Sequence, residues 1–178
     1  MKKSILIAIV LITISSVAHS QQQKIKWLSF EEAVTKSKKA PKKLFMDMYT
    51  DWCGWCVKMD ESTFSNPVIA SYINENFYPV KFDAERQDTV EFNGKAYINQ
   101  NPGKKRSSHQ LAQTLMQGKM SYPSYVFMGE DLKVLTVVPG YYPADQFEPI
   151  LHFFGSEAFK TTDWQTFSAG FKGKVPKK

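Results

Sequence analysis

Cys53 and Cys56 are the only cysteines of the 178-residue sequence, and two residues separate them. Thiols at this spacing can open and close as a disulfide, or they can supply two ligands to a metal site. An apolar run over residues 44–48 precedes the pair, and a helix-compatible run over residues 57–61 follows it. The pair is therefore predicted at a strand-to-helix junction, where unpaired backbone N–H groups and the helix dipole favour a thiolate. Because the thiolate is the nucleophile of disulfide exchange, this position suits redox chemistry.

Two alternatives to a redox role, an inert local disulfide and a metal site, have less support in the sequence. A disulfide that closes so short a loop removes little entropy from the unfolded chain, so it contributes little stability. A tetrahedral metal site needs further ligands, and the mature chain offers only His109 and His152 besides the cysteines. We therefore predict a redox-active pair and no metal site, with an inert local disulfide and a metal site as the alternatives.

Asp47 lies inside the apolar run, six residues before Cys53. Burial of a carboxylate costs free energy unless the group is paired, and it raises the pKa of the group. In one interpretation, strand alternation turns Asp47 towards solvent or a hydrogen-bonding partner. In the other, Asp47 is a proton acceptor beneath the cysteines. The residues alone do not separate these two interpretations.

The N-terminus has the pattern of a secretory signal over residues 1–20. Lys2 and Lys3 precede an apolar run over residues 5–14, and Ala18-His-Ser20 resembles a cleavage site. The apolar run is shorter than the roughly 20 residues that span a bilayer, although an uncleaved anchor is the alternative. We expect an exported protein, periplasmic or secreted, with no membrane contact after cleavage.

The formal net charge of +6 comes mostly from the termini, and Lys104-Lys105-Arg106 is an internal basic cluster. No nucleic-acid reader motif accompanies this charge, so we expect no nucleic-acid partner. The cluster is interpreted as a solvated basic loop.

Local signals predict alternating helices and strands. A capping box at Ser29 and Glu32 starts a helix that ends near Lys39, and a strand follows over residues 42–49. The helix after Cys56 breaks at Ser65-Asn-Pro67, and a second helical segment leads to a strand over residues 77–82. This order is typical of a crossover between parallel strands.

The second half is predicted to complete the sheet. Its expected elements are a hairpin at Asn93-Gly94, a helix capped by Ser107 or Ser108 and closed by Gly118, strands over residues 125–128 and 133–138, a helix over residues 145–154, and a short docked helix over residues 163–169. We predict a domain over residues 21–154, with a long segment at about 86–120, and an aromatic-containing C-terminal extension over residues 155–178.

The motif Trp52-Cys-Gly-Trp-Cys56, with Asp47 upstream and Tyr122-Pro123 before a later strand, resembles the thioredoxin superfamily over about residues 27–154. The segment Thr63-Phe-Ser-Asn-Pro67 looks like that of exported thioredoxin-like proteins. These are related to the C-terminal domain of the periplasmic thiol–disulfide interchange reductase. The resemblance implies an α/β thioredoxin fold, in which helices flank a central mixed β-sheet. Residues 86–120 are then an insertion before the cis-proline strand, and a C-terminal helical extension follows.

The resemblance also implies roles for single residues. Cys53 would be the exposed nucleophile, Cys56 the buried resolving thiol, and Asp47 the acid that manages the proton of Cys56. Pro123 would be a cis-proline facing the cysteines, although a trans edge-strand proline is the alternative. The residues expected to bind substrate are Trp52, Gly54, Trp55, Tyr122 and Pro123.

The implied activity is that of a thiol–disulfide oxidoreductase that reduces protein disulfides outside the cytoplasm. Its partners would be disulfide-containing protein substrates and an external thiol donor, with no cofactor; a monomer is favoured, although the sequence does not define the oligomeric state. Gly54-Trp55 replaces the Gly-Pro of thioredoxin, and these positions tune the redox potential. The alternatives are therefore an oxidase or isomerase that uses the same pair, and a non-enzymatic binding module.

Overall fold

The structure, a computed structural model, describes residues 23–177, so the predicted signal peptide lies outside the described residues. In chain order the elements are α1 (Phe30–Lys39), β1 (Leu44–Tyr49), α2 (Gly54–Met59), α3 (Pro67–Asn76), β2 (Tyr78–Asp83), β3 (Val90–Phe92), β4 (Lys95–Tyr97), α4 (Gln110–Leu115), β5 (Ser124–Met128), β6 (Val134–Pro139), α5 (Ala144–Gly155) and α6 (Trp164–Gly170). A π-helical turn, Asp60–Phe64, joins α2 to α3, and a 3-10 turn, Ala158–Lys160, follows α5. None of the helices in residues 23–177 has the length and apolar character needed to cross a membrane.

Four strands form the central sheet in the order β2-β1-β5-β6. β1 pairs in parallel with β2, while β5 is antiparallel to both β1 and β6. β3 and β4 form a separate antiparallel hairpin. The sheet is therefore mixed, and the predicted α/β class with a thioredoxin-type crossover between β1 and β2 is confirmed.

Short capping motifs set the helix boundaries in the first half of the chain. Ser29 Oγ accepts a hydrogen bond from the Glu32 N–H at 3.2 Å, and the Glu32 carboxylate accepts one from the Ser29 N–H at 2.9 Å. Asn66 Oδ1 accepts from the Val68 N–H at 2.9 Å, and Pro67 occupies the first position of α3. The predicted starts of α1 and α3 are therefore confirmed.

Strand alternation in β1 divides the core between two faces of the sheet. Leu44, Met46 and Met48 pack with residues of α1 and α4 on one face. Phe45 packs on the other face with residues of α2, α3 and α5, including Met59. Because Asp47 is two residues from Phe45, it belongs to the face that α2 covers.

The insertion contains the predicted hairpin, but the cap of α4 differs from the prediction. Asn93 and Gly94 have φ angles of 50° and 73° at the turn between β3 and β4. Neither Ser107 nor Ser108 caps α4: His109 Nδ1 accepts a hydrogen bond from the Leu111 N–H at 3.1 Å. Serine was the expected cap from local preference, but the Ser107 hydroxyl is engaged elsewhere in the loop.

A buried asparagine, Asn99, organises the loop before α4. Its side-chain amide donates to the carbonyl oxygens of Ser107 at 2.7 Å, Arg86 at 3.3 Å and Glu85 at 3.4 Å. Its Oδ1 accepts from the Ser107 hydroxyl at 2.7 Å and from the Asn101 N–H at 3.1 Å. One amide group thus joins the two ends of this loop to the segment that follows β2.

The predicted C-terminal helix is present as α6, and it packs on α5. Asp163 Oδ1 accepts from the Thr166 N–H at 2.9 Å, which caps α6. The rings of Trp164 and Phe167 lie 5.4 and 5.1 Å from the ring of Phe153 in α5. Beyond α6, the buried Glu148 carboxylate accepts the backbone N–H groups of residues 174 and 175, so the extension is held to the domain at two places.

Replacement of Asn99 by Ala is expected to lower the free energy of unfolding by about 2–3 kcal/mol, because it removes several buried hydrogen bonds and leaves their partners unsatisfied. Urea denaturation of the wild type and the variant measures this change. Asn101→Ala is the control, since the Asn101 side chain is exposed, and its effect should stay within about 0.5 kcal/mol. Equal stability of the two variants would contradict the role given to Asn99.

Candidate active site

The cysteine pair lies where β1 leads into α2, as predicted. Cys53 and Cys56 form a disulfide, with an S–S distance of 2.05 Å. Cys53 is the N-cap of α2: its Sγ accepts a hydrogen bond from the Cys56 N–H at 3.1 Å. A sulfur in this position is stabilised as an anion by the N–H donor and by the positive end of the helix.

The predicted contrast in exposure between the two cysteines is absent from the disulfide form. Cys53 is 5% exposed and Cys56 is 3% exposed, because the bond places each sulfur against the other. Apolar side chains around the pair are exposed instead, with Trp52 at 50%, Trp55 at 62% and Val57 at 53%. At Gly54 a Cβ atom would meet nothing within 4 Å, so the surface beside the disulfide is open.

Trp52 brings three segments of the chain together next to Cys53. Its indole Nε1–H donates to the Glu85 carboxylate at 3.1 Å, just beyond the end of β2. The ring of Tyr122 meets the indole edge-on at 5.8 Å, and the guanidinium carbon of Arg106 lies 4.9 Å from the indole centroid. Glu85 and Arg106 were not predicted as site residues, and no local motif marks them.

The predicted cis-proline segment is also part of this surface. The Tyr122–Pro123 peptide bond is cis, and it directly precedes β5. On the other side of the disulfide, the ring of Trp55 lies 5.2 Å from that of Tyr141. The structure therefore places Trp52 and Tyr122 together, while Trp55 borders a second aromatic residue.

Asp47 is buried at 1% exposure and forms an ion pair that sequence reasoning missed. Lys81 Nζ lies 2.6 Å from Asp47 Oδ2, and it also lies 2.6 Å from Oδ1 of Asp60. Asp60 directly follows α2. The register of the parallel strands places Asp47 opposite Lys81, so a lysine within the otherwise apolar β2 was the available signal. Asp47 thus has the bonding partner expected in the first interpretation and the burial expected in the second.

Burial raises the pKa of Asp47 to about 6, and the charge of Lys81 limits that rise. For Lys81, burial acts to lower the pKa, but the charges and hydrogen bonds of Asp47 and Asp60 outweigh it, so the pKa is raised. Lys81 therefore stays charged while Asp47 changes protonation close to neutral pH.

One carboxylate oxygen of Asp47, the buried Oδ1, has no hydrogen-bond partner among the described residues. Within the same residues no hydrogen bond joins Asp47 to either cysteine. Asp47 is instead tied to the end of α2 through Lys81 and Asp60.

The two histidines considered as metal ligands have other contacts. His109 caps α4, and its Nε2 lies 3.0 Å from the Asp88 carbonyl oxygen. The His152 ring stacks on Tyr72, with centroids 3.7 Å apart. Across residues 23–177, no three or more His, Cys, Asp or Glu side chains are grouped to hold a metal ion.

Comparison with known proteins identifies the family. Residues 30–155 match the thioredoxin-like domain family. The chain belongs to this family. Spermatogenesis-associated protein 20 of Rattus norvegicus is 38% identical over 61 residues. That match covers 34% of this chain but only 8% of the rat protein.

Solved structures with the thioredoxin-like fold also match. The DsbH oxidoreductase has a TM-score of 0.52 at 22% identity, and the match covers 78% of this chain and 87% of that one. A thioredoxin-fold protein from Helicobacter pylori has a TM-score of 0.53 at 19% identity, with 72% and 81% covered. At these identities the structures show the shared fold. The assignment to the thioredoxin superfamily is thereby confirmed.

Replacement of Asp47 by Asn should change how stability depends on pH. Between about pH 4 and pH 6, Asp47 binds more protons in the native wild type than in its unfolded chain, so the contribution of this group to the free energy of unfolding falls as pH rises. A pKa raised from 3.8 to about 6 corresponds to a fall of roughly 3 kcal/mol in the contribution of Asp47 to the free energy of unfolding. The Asp47→Asn variant should lack this fall.

Urea denaturation of the oxidised proteins between pH 4 and pH 8 measures this difference. Asp131→Asn is the control, because Asp131 is exposed and its pKa is lowered by hydrogen bonds from Lys133. This variant keeps Asp47, so its stability difference from the wild type should stay nearly constant over this pH range. A constant stability difference between wild type and Asp47→Asn over this pH range would contradict the assignment.

Proposed function

We propose that this protein is a thiol–disulfide oxidoreductase that reduces protein disulfides outside the cytoplasm. The observation that carries the proposal is the Cys53–Cys56 disulfide at the start of α2, beside the cis Tyr122–Pro123 bond, in a thioredoxin-like domain. Export is supported by the charged, apolar and small-residue pattern of residues 1–20.

In the proposed reaction, the Cys53 thiolate attacks one sulfur of a substrate disulfide. A mixed disulfide forms, and the other substrate sulfur leaves as a thiolate. The Cys56 thiolate then attacks Cys53 Sγ, which releases the second substrate thiolate and closes the Cys53–Cys56 bond. Two electrons pass from the pair to the substrate, and an external thiol donor restores them by the reverse exchange.

Asp47 is proposed to accept the proton of the Cys56 thiol before the second attack. A group with a pKa of about 6 is mostly ionised at neutral pH and is close enough in pKa to exchange protons readily. Its unbonded Oδ1 is available as the acceptor. Lys81 and Asp60 position the carboxylate and hold the compensating charge.

The substrate chain is proposed to lie across the open surface at Gly54, between Trp52 and Trp55. The backbone of Tyr122 would pair with it, and Pro123 would face the attacked sulfur. Exposed aromatic side chains on both sides of the disulfide support this, because such side chains offer large contact areas at little cost in conformational entropy.

Cys53→Ser is expected to abolish the reduction of insulin by a thiol donor, because no thiolate then starts the exchange. Cys56→Ser is the matched variant: it keeps the first attack but cannot resolve it, so a mixed disulfide should accumulate on non-reducing gels. Circular dichroism of both variants checks their fold. Full activity of Cys53→Ser would overturn the proposal, and it would favour a non-enzymatic binding module.

Equilibration of the mature protein with glutathione buffers tests the direction of the reaction. A reductase is expected to have a potential near that of thioredoxin, about −270 mV, whereas a strong oxidant lies near −120 mV. The fraction of disulfide is read from mass after alkylation. A potential at the oxidising end would replace the reductase by an oxidase or isomerase that uses the same residues.

A further inference from the structure

A run of positive charge, Lys104-Lys105-Arg106, reaches the edge of the cysteine site. The Arg106 guanidinium lies over the indole of Trp52, and Trp52 is the residue before Cys53. Arg106 has a φ angle of 60°, a left-handed backbone conformation that non-glycine residues seldom adopt. All three basic residues are exposed.

The loop that carries the basic run is built into the fold. The Gly103 N–H donates to the Gln87 side chain at 2.8 Å, and the Lys104 N–H donates to the Asn101 carbonyl at 3.1 Å. The buried Asn99 ties both ends of the loop to the segment after β2, including the Glu85 carbonyl. Because the Glu85 carboxylate in turn holds Trp52, the basic run and the cysteine site share one support.

The charged groups around Trp52 differ in whether they have bonding partners within the protein. Glu85 accepts from the indole of Trp52, and Asp83 accepts from the Glu85 N–H at 2.8 Å. In contrast, the three cations of the run enter no ion pair within residues 23–177. Arg86, the other arginine of the insertion, is paired with Glu31 and Asp88. Cations without acidic partners beside a binding surface favour an anionic ligand.

On α2, which follows Cys53, the exposed side chains are mostly apolar, and Lys58 is the exposed cation of this helix. Trp55 and Val57 are exposed there, and Trp55 lies against Tyr141. A chain that crosses the site would thus meet the three cations of the run, beside the carboxylates of Asp51 and Glu85, near Trp52, and mostly apolar side chains along α2.

We propose that Arg106, with Lys104 and Lys105, selects substrate polypeptides that carry Asp or Glu next to the cysteine attacked by Cys53. This inference rests on the proposed function. A guanidinium can bind a carboxylate through its edge while its face stays on an aromatic ring, so the contact with Trp52 presents Arg106 for this purpose. The partner is an acidic protein segment.

The test uses the reduced mature protein and three peptides of one sequence. Each holds one cysteine as a mixed disulfide with 2-mercaptoethanol, flanked by Asp, Asn or Lys. The second-order rate constant of exchange is measured from the released peptide thiol. The Asp peptide should react about three- to tenfold faster than the Asn peptide at low salt, and the preference should shrink at about 0.5 M salt.

Arg106→Gln should bring the ratio of the Asp to the Asn rate constants towards one, and Arg106→Lys should keep part of it. Lys39→Gln is the matched control. It removes one exposed charge at the end of α1, near the start of β1, whereas the cysteines follow the other end of that strand. The ratio in this control should equal that of the wild type.

Equal rate constants for the three peptides with the wild type would overturn the inference. An unchanged ratio of the Asp to the Asn rate constants in Arg106→Gln would also overturn it. If Arg106→Gln slowed the exchange of all three peptides by the same factor, Arg106 would act only on the reactivity of Cys53, which would overturn the inference as well. These results leave the proposed reaction intact, since exchange still occurs. Absence of exchange with every peptide, in the wild type as in Cys53→Ser, overturns the proposed function itself.

Discussion

A partly buried ammonium group between two carboxylates, one of them fully buried, constrains the rest of the structure. Lys81 lies 2.6 Å from both Asp47 and Asp60, and the rings of Tyr49, Trp27 and Phe64 lie 5.0–5.7 Å from its Nζ. An ion pair in such surroundings is costly to break, because removal of one partner leaves a buried charge unpaired. The register of β1 against β2 and the end of α2 are therefore both tied to one side chain. The Cys helix cannot shift along the sheet without separating these charges.

The same arrangement connects folding to chemistry. Burial without the ammonium of Lys81 would keep Asp47 protonated over a wide pH range. An ion pair of Asp47 with Lys81 in solvent would keep Asp47 ionised. The intermediate pKa of about 6 results from burial on the apolar face shared with Phe45, which raises the pKa, and from the nearby ammonium of Lys81, which lowers it. Asp60 also pairs with Lys81, and its negative charge raises the pKa of Asp47. Asp60 therefore affects the protonation of Asp47 without a direct hydrogen bond to it. The pKa of Asp47 is thus set by the whole cluster.

The parts of the fold that follow from local chemistry could be predicted from the sequence. The capping box at Ser29, the Asn66-Pro67 start of α3 and the Asn93-Gly94 turn each involve residues a few positions apart. The predicted cap of α4 was wrong because the Ser107 hydroxyl donates a hydrogen bond to Asn99, which lies elsewhere in the loop. The predicted exposure of Cys53 was wrong, since its sulfur is bonded to Cys56 and the residue is buried. Lys81 and Arg106 were missed because their importance comes from contacts across the sheet and the insertion.

Strand β2 joins the buried and the surface parts of the site. Lys81 lies within this strand and controls the charge beneath α2, while Glu85 lies just past its end and holds Trp52. The insertion begins from the same segment, and Asn99 returns to it. A change that moved the end of β2 would consequently alter the proton acceptor, the residue before Cys53 and the basic run together. The buried carboxylate, the residue before Cys53 and the basic run thus share one structural support, although they belong to separate parts of the chain.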